Sequence, residues 1–418
     1  MDRKIPKNKI RGYIGVKSND GHDAAILVIA DILKKNGIEI ILGGYDLTVD
    51  KFVRAIIQEG VHFAGISSYN GGHIPFFSAV RTELQNKGYP HIHLIGGGGA
   101  TITAEDIAVL EKMDGIDKIF KSGEGHLVAP FINDNYDFSV VPDNPDKYLE
   151  GLKEGDDLCI SQWINLVEEK ARLDSLLEAN GTAPKGNIKQ CMRYYECFEK
   201  LNGLLEHTQC TAYGICGRGG SGKSTITDEL VLRFFNDQET ENKKLAIVAV
   251  DPSSHSSGGA LLADRIGYMV ATDKNWVDVD RIYIRSVASR GHGHGIARSL
   301  PDIIKILKVA GYEIIVETYG TGQPDVGIVD IVDIPVFVTT PDMGGATQVA
   351  KEEMLNMPGV TVVLNKSEQR GGRHTASLLR NKVPDERFFQ TTAIEHKNPG
   401  MDQLYQSLTS HYRQNVSH

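Results

Sequence analysis

Two long stretches of the chain alternate short apolar runs with amphipathic segments, and the stretch between them does not. From residue 11 to about 130, apolar runs at 12–16, 38–42, 62–67, 91–95 and 117–120 read as strands, with helical patterns between them such as 23–35 and 50–59. Five strands alternating with helices predict an open parallel sheet of the doubly wound kind. The alternation resumes after residue 211, with strands expected at 212–216, 245–250, 281–285, 313–316, 335–339 and 360–364 and a last helix at 401–413. Over 134–209 the loop formers Pro142, Asn144 and Pro145 and the acids Glu150, Glu154, Asp156 and Asp157 come first. Segments 163–177 and 189–206 follow, with apolar residues at three- and four-residue intervals, broken by Asn180-Gly181 and Pro184-Lys185-Gly186. The expected organisation is two doubly wound α/β domains, 1–133 and 210–418, joined by a helical linker over 134–209.

Composition narrows the function classes. A chain of 418 residues has room for two or three domains with their own cores. No apolar run approaches the eighteen residues needed to cross a bilayer, and the charged start Met1-Asp2-Arg3-Lys4 has no apolar segment behind it, so no membrane association and a cytoplasmic location are expected. A formal charge of −9, with no polybasic block, argues against nucleic acid as a partner. The five cysteines, Cys159, Cys191, Cys197, Cys210 and Cys216, form no C-x-x-C pair and read as reduced packing or surface residues.

The sharpest local signal is Gly217-Arg218-Gly219-Gly220-Ser221-Gly222-Lys223-Ser224, placed between an apolar strand pattern and a helical one that begins near Thr225. This is the complete phosphate-loop spacing in the context it requires, and it predicts binding of a nucleoside triphosphate with magnesium. Glycines let successive N–H groups turn toward the phosphates, and the following helix offers the positive end of its dipole. Lys223 reaches the outer phosphates in this reading, and Ser224 gives its hydroxyl to the metal. Asp251 and Glu317 each stand at the carboxyl end of an expected strand, where α/β sheets place ligands, and with Ser224 they make an oxygen-rich shell suited to magnesium. Asn365-Lys366-Ser367-Glu368 follows another strand and is similar to the guanine-reading element of GTPases, with Glu368 in place of the usual aspartate. Arg290-Gly291-His292-Gly293-His294-Gly295 reads as a switch loop, since its two histidines lack an established metal-ligand spacing.

Asp251-Pro252-Ser253-Ser254, the glycine-rich segment ending in Asp264-Arg265, Glu317-Thr318-Tyr319-Gly320 and Asn365–Glu368 together resemble the GTPase chaperones of adenosylcobalamin-dependent acyl-CoA mutases. That resemblance implies that Ser224, Asp251, Asp264, Glu317 and Thr318 are the magnesium-side positions and that Lys223 and Glu317 carry the hydrolysis. It assigns GTP to Gly217, Gly219, Gly220, Ser221, Gly222, Lys223, Ser224 and Thr225 with Asn365, Lys366, Ser367 and Glu368. One departure stands out: the family has an arginine two places after the Asp-Arg pair, where this chain has Gly267. A mobile positive charge near the phosphates is thereby missing, which predicts altered hydrolysis or regulation.

In the first domain, Asp20-Gly21-His22-Asp23-Ala24-Ala25 follows the first expected strand, Ser67-Ser68-Tyr69 the third and Gly96-Gly97-Gly98-Gly99 the fourth, so three neighbouring strand ends converge on one crevice. In order and spacing these resemble the flavodoxin-like cobalamin-binding module of adenosylcobalamin mutases and methionine synthase; Ala25, where that module has glycine, is similar to the fused isobutyryl-CoA mutases. The resemblance implies that His22 binds cobalt in place of the cofactor's own dimethylbenzimidazole tail, and that Asp20 fixes the imidazole tautomer. It also implies that Ser67 bonds the displaced tail and that Gly97 and Gly98 let the tail pass close to the backbone.

A cobalamin module, a helical connector and a GTPase in this order resemble the amino-terminal part of fused isobutyryl-CoA mutases over essentially the whole chain. The implied cofactors are adenosylcobalamin and Mg2+, with GTP as the nucleotide substrate. The implied partner is the acyl-CoA mutase barrel, absent from this sequence and expected either as a missing carboxyl-terminal region or as a separate subunit; an adenosyltransferase and a homo-oligomer also follow from the resemblance. The alternatives are the small subunit of a split methylmalonyl-CoA-type mutase, a corrinoid carrier for methyl transfer, or a metal-delivery GTPase.

Overall fold

A computed structural model of the chain describes residues 9–99, 101–136, 145–180, 199–205, 208–254, 257–289, 296–320, 323–343 and 353–415. The expected switch loop at 290–295, Cys191 and Cys197, and most of the expected helix 189–206 lie outside these residues. Two compact units are present: Met1–Lys200 with Asp251–Ile266, and Leu201–Val250 with Gly267–His418.

The first unit is a parallel sheet with helices between its strands. Strands β1 (Arg11–Lys17), β2 (Glu39–Leu47), β3 (Phe63–Ser68), β4 (His93–Gly98) and β5 (Ile116–Phe120) alternate with helices α1 (Ala24–Lys35), α2 (Val49–Gln58), α3 (His73–Asn86) and α4 (Ala104–Leu110), and α5 (Gly125–Asn135) follows β5. Every residue of β1 and β3 is buried, as strands covered on both faces require. Thr48 caps α2 through a bond from Lys51 N–H, and Thr103 with Asp106 forms a capping box on α4. On one face, Phe52 of α2 meets the Tyr13 ring edge-on, with centroids 5.1 Å apart. On the other, Ile14, Ile26, Leu33 and Val128 belong to one core.

The strand order is β5-β4-β3-β1-β2-β8, and its sixth member β8 (Ala260–Leu262) corrects the expected five. β8 comes from the sequence that follows β7 (Lys244–Asp251), and it pairs in parallel with β2 through Glu39↔Ala260, Ile40↔Leu261 and Ile41↔Leu262. A three-residue strand is too short for period-two patterning to reveal, and the glycines before it suggest only a loop. Gly259 lies so close to α1 that a Cβ would fall 2.1 Å from the Lys34 carbonyl oxygen. Arg265, 7% exposed, donates to Glu59 Oε1 at 3.3 Å and to Gln58 Oε1 at 3.0 Å; Glu59 Oε2 accepts from Arg11 at 2.8 Å. Such a buried network is costly to break, because each lost partner strands a charge.

Helices α6 (Pro145–Glu154) and α7 (Asp157–Asn180) also belong to this unit. Asn165 of α7 donates to the Gly60 carbonyl at 2.8 Å, and Trp163 is 2% exposed.

The second unit carries a seven-stranded sheet, ordered β13-β12-β11-β6-β10-β7-β9. Its strands are β6 (Ala212–Gly217), β7, β9 (Ile282–Ala288), β10 (Tyr312–Thr318), β11 (Ile334–Thr339), β12 (Thr361–Leu364) and β13 (Phe388–Gln390). The short β13 extends the sheet beyond the six expected strands. Helices α8 (Lys223–Asn236), α9 (Leu300–Val309), α10 (Gly372–Arg380) and α11 (Pro399–Asn415) complete it. β6 lies between β10 and β11, so the loop that leaves it opens where the strand order reverses, the usual ligand position of such sheets. Among the described residues, no helix is long and apolar enough to cross a membrane.

Candidate functional site

In the first unit, Asp20, His22, Ser67, Gly97 and Gly98 come together at the carboxyl ends of β1, β3 and β4. Asp20 is buried, and its carboxylate is fully used: Oδ1 sits 2.7 Å from His22 Nδ1 and accepts from His22 N–H at 3.2 Å, while Oδ2 accepts from the N–H groups of Tyr69 at 2.6 Å and Asn70 at 2.9 Å. Burial alone would push this carboxyl up; the bonds from His22, Tyr69 and Asn70 outweigh it and bring it down to about 2. An ionised carboxylate on Nδ1 keeps a proton there and makes Nε2 the lone-pair nitrogen. The His22 side chain is 61% exposed, so that nitrogen is open to a ligand.

Beside this pair lies a cavity of about 290 Å³ lined by Ser67, Gly97 and Gly98, with Ile14, Ile29, Phe120 and Val128 among the apolar walls. A Cβ on Gly98 would fall 1.7 Å from the Ser68 carbonyl oxygen, and one on Gly97 would fall 3.0 Å from that of Phe120. Only glycine fits Gly98's close approach to β3. A largely apolar slot with the Ser67 hydroxyl, beside an exposed imidazole held by a buried acid, fits a corrinoid whose tail is inserted and whose metal takes a histidine. Sequence reasoning missed the slot's outer wall: Ala25, Ile26, Val28 and Ile29 of α1, and Lys121, Gly123 and Gly125 after β5. The available signal was α1 itself, whose sequence Ala-Ala-Ile-Leu-Val-Ile-Ala is apolar all round, leaving Val28 60% exposed.

In the second unit, Gly217, Gly219, Gly220, Ser221, Gly222, Lys223, Ser224 and Thr225 form the turn from β6 into α8. Gly217, Gly220 and Gly222 take φ values of 140°, 78° and 91°, and a Cβ on Gly217 would fall 2.1 Å from the Val338 carbonyl oxygen. Lys223 Nζ donates back to the carbonyls of Gly217 at 3.0 Å and Arg218 at 3.1 Å. Ser224 Oγ donates to Glu317 Oε1 at 2.6 Å, while Glu317 Oε2 accepts from Thr227 Oγ1 at 2.9 Å and Tyr268 OH at 3.0 Å. Thr318 lies next to Glu317 at the end of β10, with its hydroxyl 3.5 Å from the Ile215 carbonyl. Among the described residues, Ser221 Oγ is buried with no hydrogen-bond partner, which leaves it available to a ligand.

The Asn365–Glu368 turn packs on this loop. Asn365 Nδ2 donates to the Ser221 carbonyl at 2.9 Å, and its Oδ1 accepts from Thr391 Oγ1 and Ala393 N–H, each at 3.1 Å. Lys366, with φ of 55°, donates to the Gly220 carbonyl at 2.8 Å. The Ser367 N–H donates to the Thr391 carbonyl at 3.1 Å, and Glu368 accepts from Thr392 Oγ1 at 2.8 Å. Thr227, Tyr268 and Thr392 were missed; Thr227 was visible as the residue one helical turn after Ser224. A Cβ at Gly267 would have Ser224 Cβ, 3.9 Å away, as its nearest neighbour, so a side chain there would stand beside the phosphate loop.

Asp251 and Asp264 belong to the first compact unit, where Asp251 Oδ2 accepts from the Ala263 N–H at 3.1 Å. Among the described residues, no three His, Cys, Asp or Glu side chains gather as a metal site.

A phosphate loop that opens at the switch point of a parallel sheet, with Glu317 under its serine and an Asn-Lys turn against it, defines the class: a P-loop GTPase-type domain. Residues 194–415, more than half of the chain, match the family model described as methylmalonyl Co-A mutase-associated GTPase MeaB, and the chain belongs to that family. Residues 10–130 match the B12 binding domain, so cobalamin and GTP are the ligand classes of the two units.

Similar proteins include the fused isobutyryl-CoA mutase of Geobacillus kaustophilus, 34% identical over 96% of this chain and 36% of that protein, and that of Nocardia farcinica, with the same identity and coverage. The methylmalonic aciduria type A homolog, mitochondrial, of Caenorhabditis elegans is 27% identical over 57% of this chain and 56% of its own length. The chain thus spans about a third of the length of the fused mutases it matches.

Proposed function

We propose that this chain binds adenosylcobalamin through His22 and uses GTP with Mg2+ to gate loading and removal of that cofactor at an acyl-CoA mutase barrel of the isobutyryl-CoA type. The observation that carries the reading is the Asp20–His22 pair beside an open slot in the same chain as a complete phosphate loop. Asp20 would hold the proton on Nδ1 and leave Nε2 to bind the cobalt, Ser67 would bond the cofactor's tail, and Gly97 and Gly98 would leave that tail room beside the backbone. When bound, adenosylcobalamin supplies the radical chemistry.

In the second unit, Lys223 swings from its loop carbonyls to the outer phosphates. Ser224 and Thr318 join the magnesium side, Glu317 orients the attacking water, and Asn365–Glu368 read the guanine. Asp251 and Asp264 are further magnesium-side positions by the family resemblance alone. The barrel is a separate subunit or a further region, an adenosyltransferase delivers the cofactor, the assembly is a homo-oligomer, and the setting is cytoplasmic.

The test is cofactor release. Protein loaded with adenosylcobalamin is mixed with an apo mutase barrel, and transfer is followed by absorbance with GTP, with GDP and with no nucleotide. Transfer rates that differ between nucleotides, with the difference lost in Lys223→Ala, support gating; equal rates in all three refute it.

A further inference from the structure

Tyr69 follows β3 directly and is half-buried. Its main chain is tied on both sides: the N–H donates to Asp20 Oδ2 at 2.6 Å, and the carbonyl accepts from Thr101 Oγ1 at 2.8 Å. Its ring stacks on the His22 imidazole, with centroids 5.3 Å apart and planes 25° from parallel. The same ring lies over Gly99, where a Cβ would fall 2.5 Å from it, and it borders the 290 Å³ slot together with Ser67, Gly97 and Gly98. One side chain therefore touches both the imidazole and the slot.

We infer that Tyr69 is a positioning residue that couples the orientation of His22 to occupation of the slot, an inference that rests on cobalamin binding at His22. The Asp20 bond fixes one ring nitrogen but leaves the imidazole free to swing about that contact, and at 61% exposure solvent does not hold it. A stacked aromatic face removes the swing. Because the ring also borders the slot, a tail lying there presses it against the imidazole, so tail insertion and histidine ligation reinforce each other. The hydroxyl plays no part; the aromatic face does.

The experiment compares wild type, Tyr69→Phe and Tyr69→Leu, each titrated with adenosylcobalamin and with cobinamide, a corrinoid without the tail, and read by visible spectrum. Phenylalanine keeps the stacked face, and leucine fills the space without it. The expected result is wild-type behaviour for Tyr69→Phe. For Tyr69→Leu, cobalamin binds about 3- to 10-fold more weakly, the weight of one stacked aromatic pair. The histidine-ligated fraction at saturation falls as well, and cobinamide, which leaves the slot empty, loses less.

Tyr69→Leu matching wild type in affinity and spectrum overturns the inference, and so does Tyr69→Phe failing as badly as Tyr69→Leu. An equal loss for both corrinoids overturns the coupling. A wild-type protein that binds cobalamin without histidine ligation refutes the underlying reading instead, and is recognised before any variant is compared.

Discussion

The two sites differ in how their polar groups are spent without a ligand. At the first, Asp20 is saturated by protein donors, and the groups that would meet the ligand, the far side of His22 and the Ser67–Gly98 slot, stand open. At the second, the groups that would meet the ligand bond each other: Lys223 to its own loop, Ser224 to Glu317, Lys366 to Gly220. A preformed seat loses little on binding, whereas a self-bonded loop must exchange internal hydrogen bonds for contacts to phosphate. The first therefore has the geometry of a preformed seat and the second that of a loop that must rearrange to take a ligand.

The largest expected effect comes from the second site. Lys223→Ala removes the side chain proposed to exchange loop carbonyls for phosphate, and GTP turnover measured by phosphate release should fall on the order of 10²–10³-fold. The cobalamin spectrum should be unchanged. Loss of both would show that the two sites are not separable.

At the first site, Gly98→Ala sets a methyl group 1.7 Å from the Ser68 carbonyl and must push β3 and β4 apart. The expected cost is about 1–3 kcal/mol in stability by denaturant unfolding, with collapse of cobalamin binding and GTP turnover retained. Asp20→Asn turns an amide donor either toward the Tyr69 and Asn70 N–H groups or toward His22, so one set of contacts fails in either orientation. Cobalamin affinity should drop about 10- to 100-fold by titration.

The smallest effect is on pH. Because the folded Asp20 carboxyl is lowered to about 2, its stabilisation is fully present above the ordinary aspartate range near 4 and is lost as pH falls from there toward 2. The wild-type unfolding midpoint should therefore drop more steeply below about pH 4 than that of Asp20→Asn, and parallel curves would contradict the shift.

Much of this was legible because the chemistry is written at strand ends. The phosphate loop and the Asp20–His22 spacing each sit where an apolar run stops, and both sheets followed from alternation of apolar runs and helices. Contributions that look like ordinary packing were not legible. The slot wall on α1 is a set of apolar residues that any core helix carries, and Thr227 and Tyr268 reach Glu317 from positions with no motif of their own. β8 was hidden for another reason: three residues after two glycines carry too little pattern, and their partner strand lies more than two hundred positions upstream. Arg265 belonged to a motif, yet it is buried on Glu59 and Gln58, a partnership that only the fold brings about.

The central claim is that His22 is the ligand of a tail-displaced corrinoid. It is tested most directly by the visible spectrum on adding adenosylcobalamin to wild type and to His22→Ala. Wild type should show the shift of histidine-ligated, tail-off cofactor and His22→Ala should lack it; an identical spectrum from both proteins would contradict the account.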